Sequence, residues 1–231
     1  METTGMMVLA LETSTRMGSI ALLSEGGLIA EYQLGVITSY SEMLLPFIDR
    51  FLHDSGITMK AIDIFAVAQG PGSFTALRMG MSVILGLSIA TQKNIIPVPS
   101  LDGLAYNAGA CDHVICPMLD ARRGEVYYAL YHRDSGRRLK RITPYRVAAP
   151  ERVLQSIEDK AVLLGDGFML YRDLFVTALQ ERAVIAPEYL HYPRASAIGA
   201  LAMQQFREQP HEALYQGVMP LYVRPPDAQA K

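Results

Sequence analysis

The chain has 231 residues, half of them hydrophobic and 19% charged, with a formal net charge of -2. That length and make-up suit two small domains with real cores and exclude a disordered protein. The charge argues against a lone polyanion binder, which usually shows a basic surface, so a partner's charge is expected to assist any contact with RNA.

From the N-terminus, residues 8–12 read as a buried strand, with 18–23 and 28–34 as two more. Glu25-Gly26-Gly27 joins the latter pair and has the residues of a tight hairpin turn. Residues 41–53 follow as a helix. The buried strand 62–69 is punctuated by Gly70-Pro71-Gly72-Ser73 and leads into a long apolar helix over 75–90. A short strand at 95–98 and a helix over 101–110 come next. The pattern then restarts. Residues 114–120 form a strand ending in a carboxylate, 124–133 alternate as a strand, Asp134-Ser135-Gly136 is a turn, and 137–142 complete the hairpin. A helix over 151–158, a strand over 161–164 and a helix over 196–207 follow, and the Pro-rich tail from Val218 is expected to pack loosely. Three strands with a carboxylate closing the first thus occur twice, around Glu12 and around Asp120. This argues for an internally duplicated α/β architecture with a degenerate second copy. The lobes are set at 1–105 and 106–231.

The segment Met1 to Met7 lacks the basic start of a signal peptide. The helix over 75–90, interrupted by Arg78, is read as too short to span a bilayer. Cys111 and Cys116 have no second pair at zinc-ligand spacing and fit a reducing compartment. A soluble, cytoplasmic protein with no membrane partner is expected.

The candidate chemistry is sparse. Of His53, His113, His132, His191 and His211, no two are four apart, so no helix face carries a metal-gripping pair. Glu12-Thr13-Ser14-Thr15 could hold a nucleotide as a strand-end carboxylate beside hydroxyl donors, or could be a plain polar turn. Gly72 and Ser73 open a helix after a strand. Free N–H groups there could take an anion, or the glycines could only permit the turn, with Ser73 as N-cap. Gly165-Asp166-Gly167 reads as an ordinary turn, and no Gly-x-Ser-x-Gly elbow is present. Arg133, Arg137, Arg138, Lys140 and Arg141 gather on one hairpin, as a solvated sheet edge or as an RNA contact.

Two helices carry more. With Met43 at zero on a helical wheel, Leu44, Leu45, Phe47, Ile48, Phe51 and Leu52 cover an apolar arc about 200° wide, where a surface helix needs about 100°. The helix over 75–90 has Leu77, Met79, Met81, Val83, Ile84, Leu85, Leu87 and Ile89 and no broad polar face. A partner that supplies part of that burial is expected at Met43, Leu44, Phe47, Ile48, Phe51, Met79, Val83 and Leu87. The alternative is that both helices are core.

Three segments resemble the bacterial TsaB (YeaZ) family: Leu9-Ala10-Leu11-Glu12-Thr13-Ser14-Thr15, the run from Gly70 to Gly80, and Asp120-Ala121-Arg122-Arg123-Gly124-Glu125-Val126-Tyr127. The ending Pro220-Leu221-Tyr222-Val223-Arg224 is a weaker match. Glu12 stands where that family usually has Asp, Ala76 where it has Gly, and Tyr40 where a His often precedes Ser-Glu. The resemblance implies duplicated RNase H-like lobes of the actin, hexokinase and Hsp70 ATPase type. It further implies a non-catalytic scaffold subunit for tRNA N6-threonylcarbamoyladenosine modification. Such a subunit binds and activates a TsaD-type catalytic subunit, is joined by a TsaE-type ATPase, and self-pairs when alone. It meets tRNA only through the complex. It has no cofactor of its own, because ATP and a metal are used by the partner subunits. An independent ATPase or sugar-kinase-like enzyme of the same fold is the competing reading.

Overall fold

A computed structural model describes residues 5–35, 40–209 and 218–224; His211 lies outside them. The chain forms two compact units: Met1–Gly103 with Pro193–Pro220, and Leu104–Tyr192 with Leu221–Lys231.

In the first unit, β1 (Val8–Glu12), β2 (Met17–Ser24) and β3 (Gly27–Gly35) make an antiparallel meander. After α1 (Tyr40–Ser55), β4 (Ile64–Ala68) adds parallel to β1. After α2 (Phe74–Thr91), β5 (Asn94–Val98) adds parallel to β4. The sheet order is β3-β2-β1-β4-β5. All five residues of β1 and of β4 are buried, because helices cover both faces. Leu9, Leu11, Phe65 and Val67 meet α1 and α2 through Leu44, Ile48, Phe51, Met81 and Ile84. The opposite face mixes Ala10, Ala21, Ala66 and Ala68 with Val8, Leu23, Ile64, Ile96 and Val98, and lies under Ala195, Ile198 and Ala202. Those three belong to the last helix, Ala195–Glu208, which the sequence reading places in the C-terminal lobe. Small residues on both sides let this helix pack closely on the sheet, so residues 193–220 group with the first unit.

The second unit repeats the order. α3 (Ser100–Tyr106) leads to β6 (Val114–Asp120), which pairs antiparallel with β7 (Val126–Tyr128). The alternating run expected over 124–133 is broken in two, and its second half, β8 (Tyr131–Arg133), hairpins with β9 (Leu139–Arg141) beside the main path. The meander's third strand is instead β10 (Arg146–Ala148), paired with β7. α4 (Pro150–Gln155), β11 (Ala161–Leu164), α5 (Asp166–Leu170), α6 (Arg172–Leu179) and β12 (Ala183–Ile185) complete the order β10-β7-β6-β11-β12. The helix of the first unit named above is α7. Both sheets therefore carry an antiparallel three-strand meander continued by two parallel strands. This is the duplicated RNase H-like plan, with three-residue strands in the meander of the second copy.

Candidate protein interface

α1 and α2 lie side by side on one face of the first sheet. In α2 the buried residues Ala76, Leu77, Gly80, Met81, Ile84 and Ser88 form one stripe. The rest of the helix is mostly apolar, with Thr75, Arg78 and Ser82 exposed among it. Met79, Val83, Leu85 and Leu87 are half-buried, and Ile89 is 60% exposed. The helix is 18 residues long, with mean hydropathy 1.5. Length therefore does not separate it from a bilayer span, as the sequence reading supposes. What marks it as a core helix is the stripe packed on β4 and β5.

The eight residues expected at a partner face separate into two sets. Leu44, Ile48 and Phe51 are at most 4% exposed and belong to the core of their own unit. Met43 is exposed, and Phe47, Met79, Val83 and Leu87 pack against the core from its rim while keeping an open side. Leu45, not among the eight, is 55% exposed. A groove of about 480 Å³ runs between Leu45, Asp49 and His53 of α1, Met59 of the following turn, and Leu87 of α2. The end of α1 is pinned by polar contacts. Asp54 accepts from Arg50 at 2.7 Å and from Tyr32 at 2.9 Å. These two bonds hold the Asp54 carboxyl below its ordinary value. The Tyr32 ring meets Phe51 edge-on at 5.0 Å and Phe47 at 6.0 Å, so β3 braces the helix.

The loop residues Glu12, Thr13, Gly72 and Ser73 do come together, but as packing. The Ser73 N–H donates to the Ser14 carbonyl at 2.7 Å, and the Thr13 hydroxyl donates to the Ala76 carbonyl at 2.9 Å. A Cβ on Gly72 would stand 2.4 Å from the Ser14 carbonyl oxygen, and one on Gly80 would stand 2.4 Å from Thr13 Oγ1. The glycines thus admit the close approach of the polar turn. Ser73 occupies the N-cap position of α2, as the sequence reading has it, without a side-chain capping bond. Glu12 is fully buried. It accepts from the Ser14 N–H, and its Oε2 has no partner. Burial pushes its carboxyl up to about 7, against the lowering effect of the Ser14 hydrogen bonds. The neighbouring cavity of about 20 Å³, reaching Met43 and Phe47, has room for one water.

In the second unit the Gly165 N–H donates to His191 Nδ1 at 3.1 Å, which fixes that nitrogen as an acceptor; burial lowers the affinity of this imidazole for a proton. Asp120 is ion-paired with Arg122 at 3.1 Å. Of the basic hairpin, Arg133 is bound into the fold through the Tyr106, Gly109 and Arg137 carbonyls, and Arg141 stacks on Tyr145 at 3.8 Å. Cys111 and Cys116 are free thiols, the latter buried. Among the described residues no group of three or more His, Cys, Asp or Glu is placed to hold a metal.

Sequence reasoning missed the groove beside Met59 and Leu87. It joins residues about 30 positions apart, and no periodicity within one helix reports it.

The family described as "TsaD: tRNA N6-adenosine threonylcarbamoyltransferase" matches residues 25–231. The tRNA threonylcarbamoyladenosine biosynthesis protein TsaB of Bacillus subtilis is 31% identical, over 98% of this chain and 97% of that protein. The structure of YeaZ from Pseudomonas aeruginosa superimposes with a TM-score of 0.78 at 28% identity, over 94% of this chain and 99% of that one. Component A of the Acidaminococcus fermentans (R)-2-hydroxyglutaryl-CoA dehydratase superimposes at TM-score 0.53 with 11% identity, over 87% of this chain and 98% of that one, a likeness of fold alone.

Proposed function

The chain belongs to the TsaB family of tRNA threonylcarbamoyladenosine biosynthesis proteins, and from that premise we propose that it is the non-catalytic subunit of the modifying complex. It binds a TsaD-type catalytic subunit through the α1–α2 face and holds that subunit in its competent shape. The observation that carries this reading is α2, which lacks a broad polar face and has only one stripe buried by its own unit. An apolar helix face left open to water is stabilised by a second cover. The rim set Met43, Phe47, Met79, Val83 and Leu87 supplies that face, and methionines at its centre suit repacking against more than one surface. When alone, the same face pairs two copies of this chain. A TsaE-type ATPase joins the assembled pair, and ATP and metal serve those partners. The protein works in the cytoplasm and meets tRNA as part of the complex.

The test is co-purification with the cognate TsaD-type subunit, followed by tRNA modification in vitro with and without this chain. Val83→Arg places an unpaired charge in the interface and should weaken the complex on the order of 100-fold, while the circular dichroism of the isolated chain stays that of the native fold. A complex of native affinity from Val83→Arg would sink the assignment of the face. Nucleotide hydrolysis by the isolated chain, with no complex, would instead identify an independent ATPase or sugar-kinase-like enzyme of this fold.

A further inference from the structure

A groove of about 720 Å³ runs along the edge of the second sheet, lined by Tyr145, Arg146, Arg152, Gln155 and Glu125 among others. Arg146 lies on the edge strand β10, and Arg152 lies on the exposed side of α4. Among the described residues neither is in an ion pair. The one carboxylate in the lining, Glu125, is neutralised by Arg224. Tyr145 is half-buried, with the Arg141 guanidinium over its ring.

The β6–β7 connection, which carries Glu125, adds a second observation. Arg122 and Arg123 both adopt left-handed backbone, with φ of 59° and 56°. Such a conformation costs a non-glycine residue about 1 kcal/mol or more. It is held by the Ala121 N–H on the Glu125 carbonyl at 3.0 Å, the Glu125 N–H on the Arg122 carbonyl at 3.1 Å, and Arg224 on the Ala121 carbonyl at 3.0 Å. The strain is kept in the loop that presents two consecutive exposed arginines.

We propose that this groove, with the Arg122–Arg123 loop at its end, is a docking site for an RNA phosphodiester backbone. Phosphates sit on Arg146 and Arg152, and an unstacked base lies against Tyr145. Guanidiniums spaced along an open groove track a chain of phosphates, and an aromatic ring with an arginine over it is a stacking platform that an acidic peptide would leave unused. Placing the cations in one groove also lets a chain of net charge -2 meet RNA without a basic surface overall. The inference rests on the reading of the chain as a tRNA-modification subunit, because that reading supplies the RNA.

The experiment titrates labelled, unmodified tRNA transcript with the full chain at about 50 mM salt, and repeats the titration across salt concentrations. The double variant Arg146→Glu, Arg152→Glu should weaken binding roughly tenfold or more and reduce the salt slope by about 2. Tyr145→Ala should weaken binding about fivefold with the salt slope unchanged. Arg146 and Arg152 are exposed and Tyr145 is half-buried, and thermal unfolding of each variant checks that the fold persists. Identical affinity and slope in the double variant, or no binding by the native chain, overturns the proposal. So does equally effective competition by poly-L-glutamate, which would make the groove an acidic-peptide site. Co-purification with the TsaD-type subunit is read separately. Its loss in the native chain refutes the proposed function and leaves the tRNA titration to decide the groove.

Discussion

The two units share one strand order and spend their side chains differently. The first has strands of eight and nine residues in its meander and two helices on one face whose apolar surface exceeds what the sheet can cover. The second has three-residue strands in its meander, and its short helices place Val153, Phe168, Phe175 and Leu179 in its core while Met169 and Leu170 stay exposed. Its groove is lined by exposed arginines. A duplicated fold has thus divided its surfaces, an apolar face in one copy and a cationic groove in the other. The common device is the loop after the fourth strand, packed backbone-to-backbone on the end of the first: Ser73 on Ser14 in one unit, and the Gly165–Gly167 turn on Met118 and Leu119 in the other.

That shared device gives the largest expected effect. A Cβ on Gly165 would stand 1.8 Å from the Met118 carbonyl oxygen, at a φ of 116° that side-chain-bearing residues avoid. Gly165→Ala should cost the second unit on the order of 4 kcal/mol. Hydrogen exchange would place the loss of protection in residues 104–192, and uniform loss of protection across both units would break the comparison.

A smaller effect lies at the strand-end carboxylate of the first unit. Glu12 sits at about 7 in the folded chain against an ordinary 4.5. The folded state therefore binds the extra proton between those values. Its contribution is fully present below pH 4.5 and is lost as pH rises to about 7, on the order of 3 kcal/mol in all. Glu12→Gln should remove that slope from urea midpoints measured between pH 4.5 and 8. An unchanged slope would mean that the carboxyl is hydrated in the folded chain.

The smallest effect sharpens the apolar face. Leu45 is 55% exposed on α1, so Leu45→Ser should leave stability of the isolated chain within about 0.5 kcal/mol. The same variant should measurably weaken self-pairing in light scattering. A melting temperature several degrees lower would show that the face is core after all.

Much of this was legible residue by residue. The apolar runs 8–12 and 62–69 read as buried strands, because helices on both faces erase the two-residue alternation, and β1 and β4 are buried throughout. The meander around Glu12 read correctly because Glu25-Gly26-Gly27 has local turn chemistry. The second meander misled at its third strand. Residues 137–142 form the nearest hairpin in sequence, while the sheet's own partner for β7 is Arg146–Ala148. The helix surplus over α1 and α2 was visible as an arc of apolar residues. Which members the core takes was not, because a helical wheel has no sheet beneath it.

By itself the sequence determined the strand–helix order, the duplication, the absence of a paired-histidine metal motif and the kinship carried by the Gly70 to Gly80 and Asp120 to Tyr127 segments. Tertiary structure alone decided that Leu44, Ile48 and Phe51 belong to the core while Met43, Phe47 and Val83 stay at the rim. It alone closed the Glu12 turn against Gly72 and Gly80, returned α7 to the first unit, and gathered Arg146, Arg152 and Tyr145 along one groove. The division has a physical cause. Turns, periodicity and propensity act over a few residues, whereas burial and side-chain assembly depend on which distant segments the fold brings within contact.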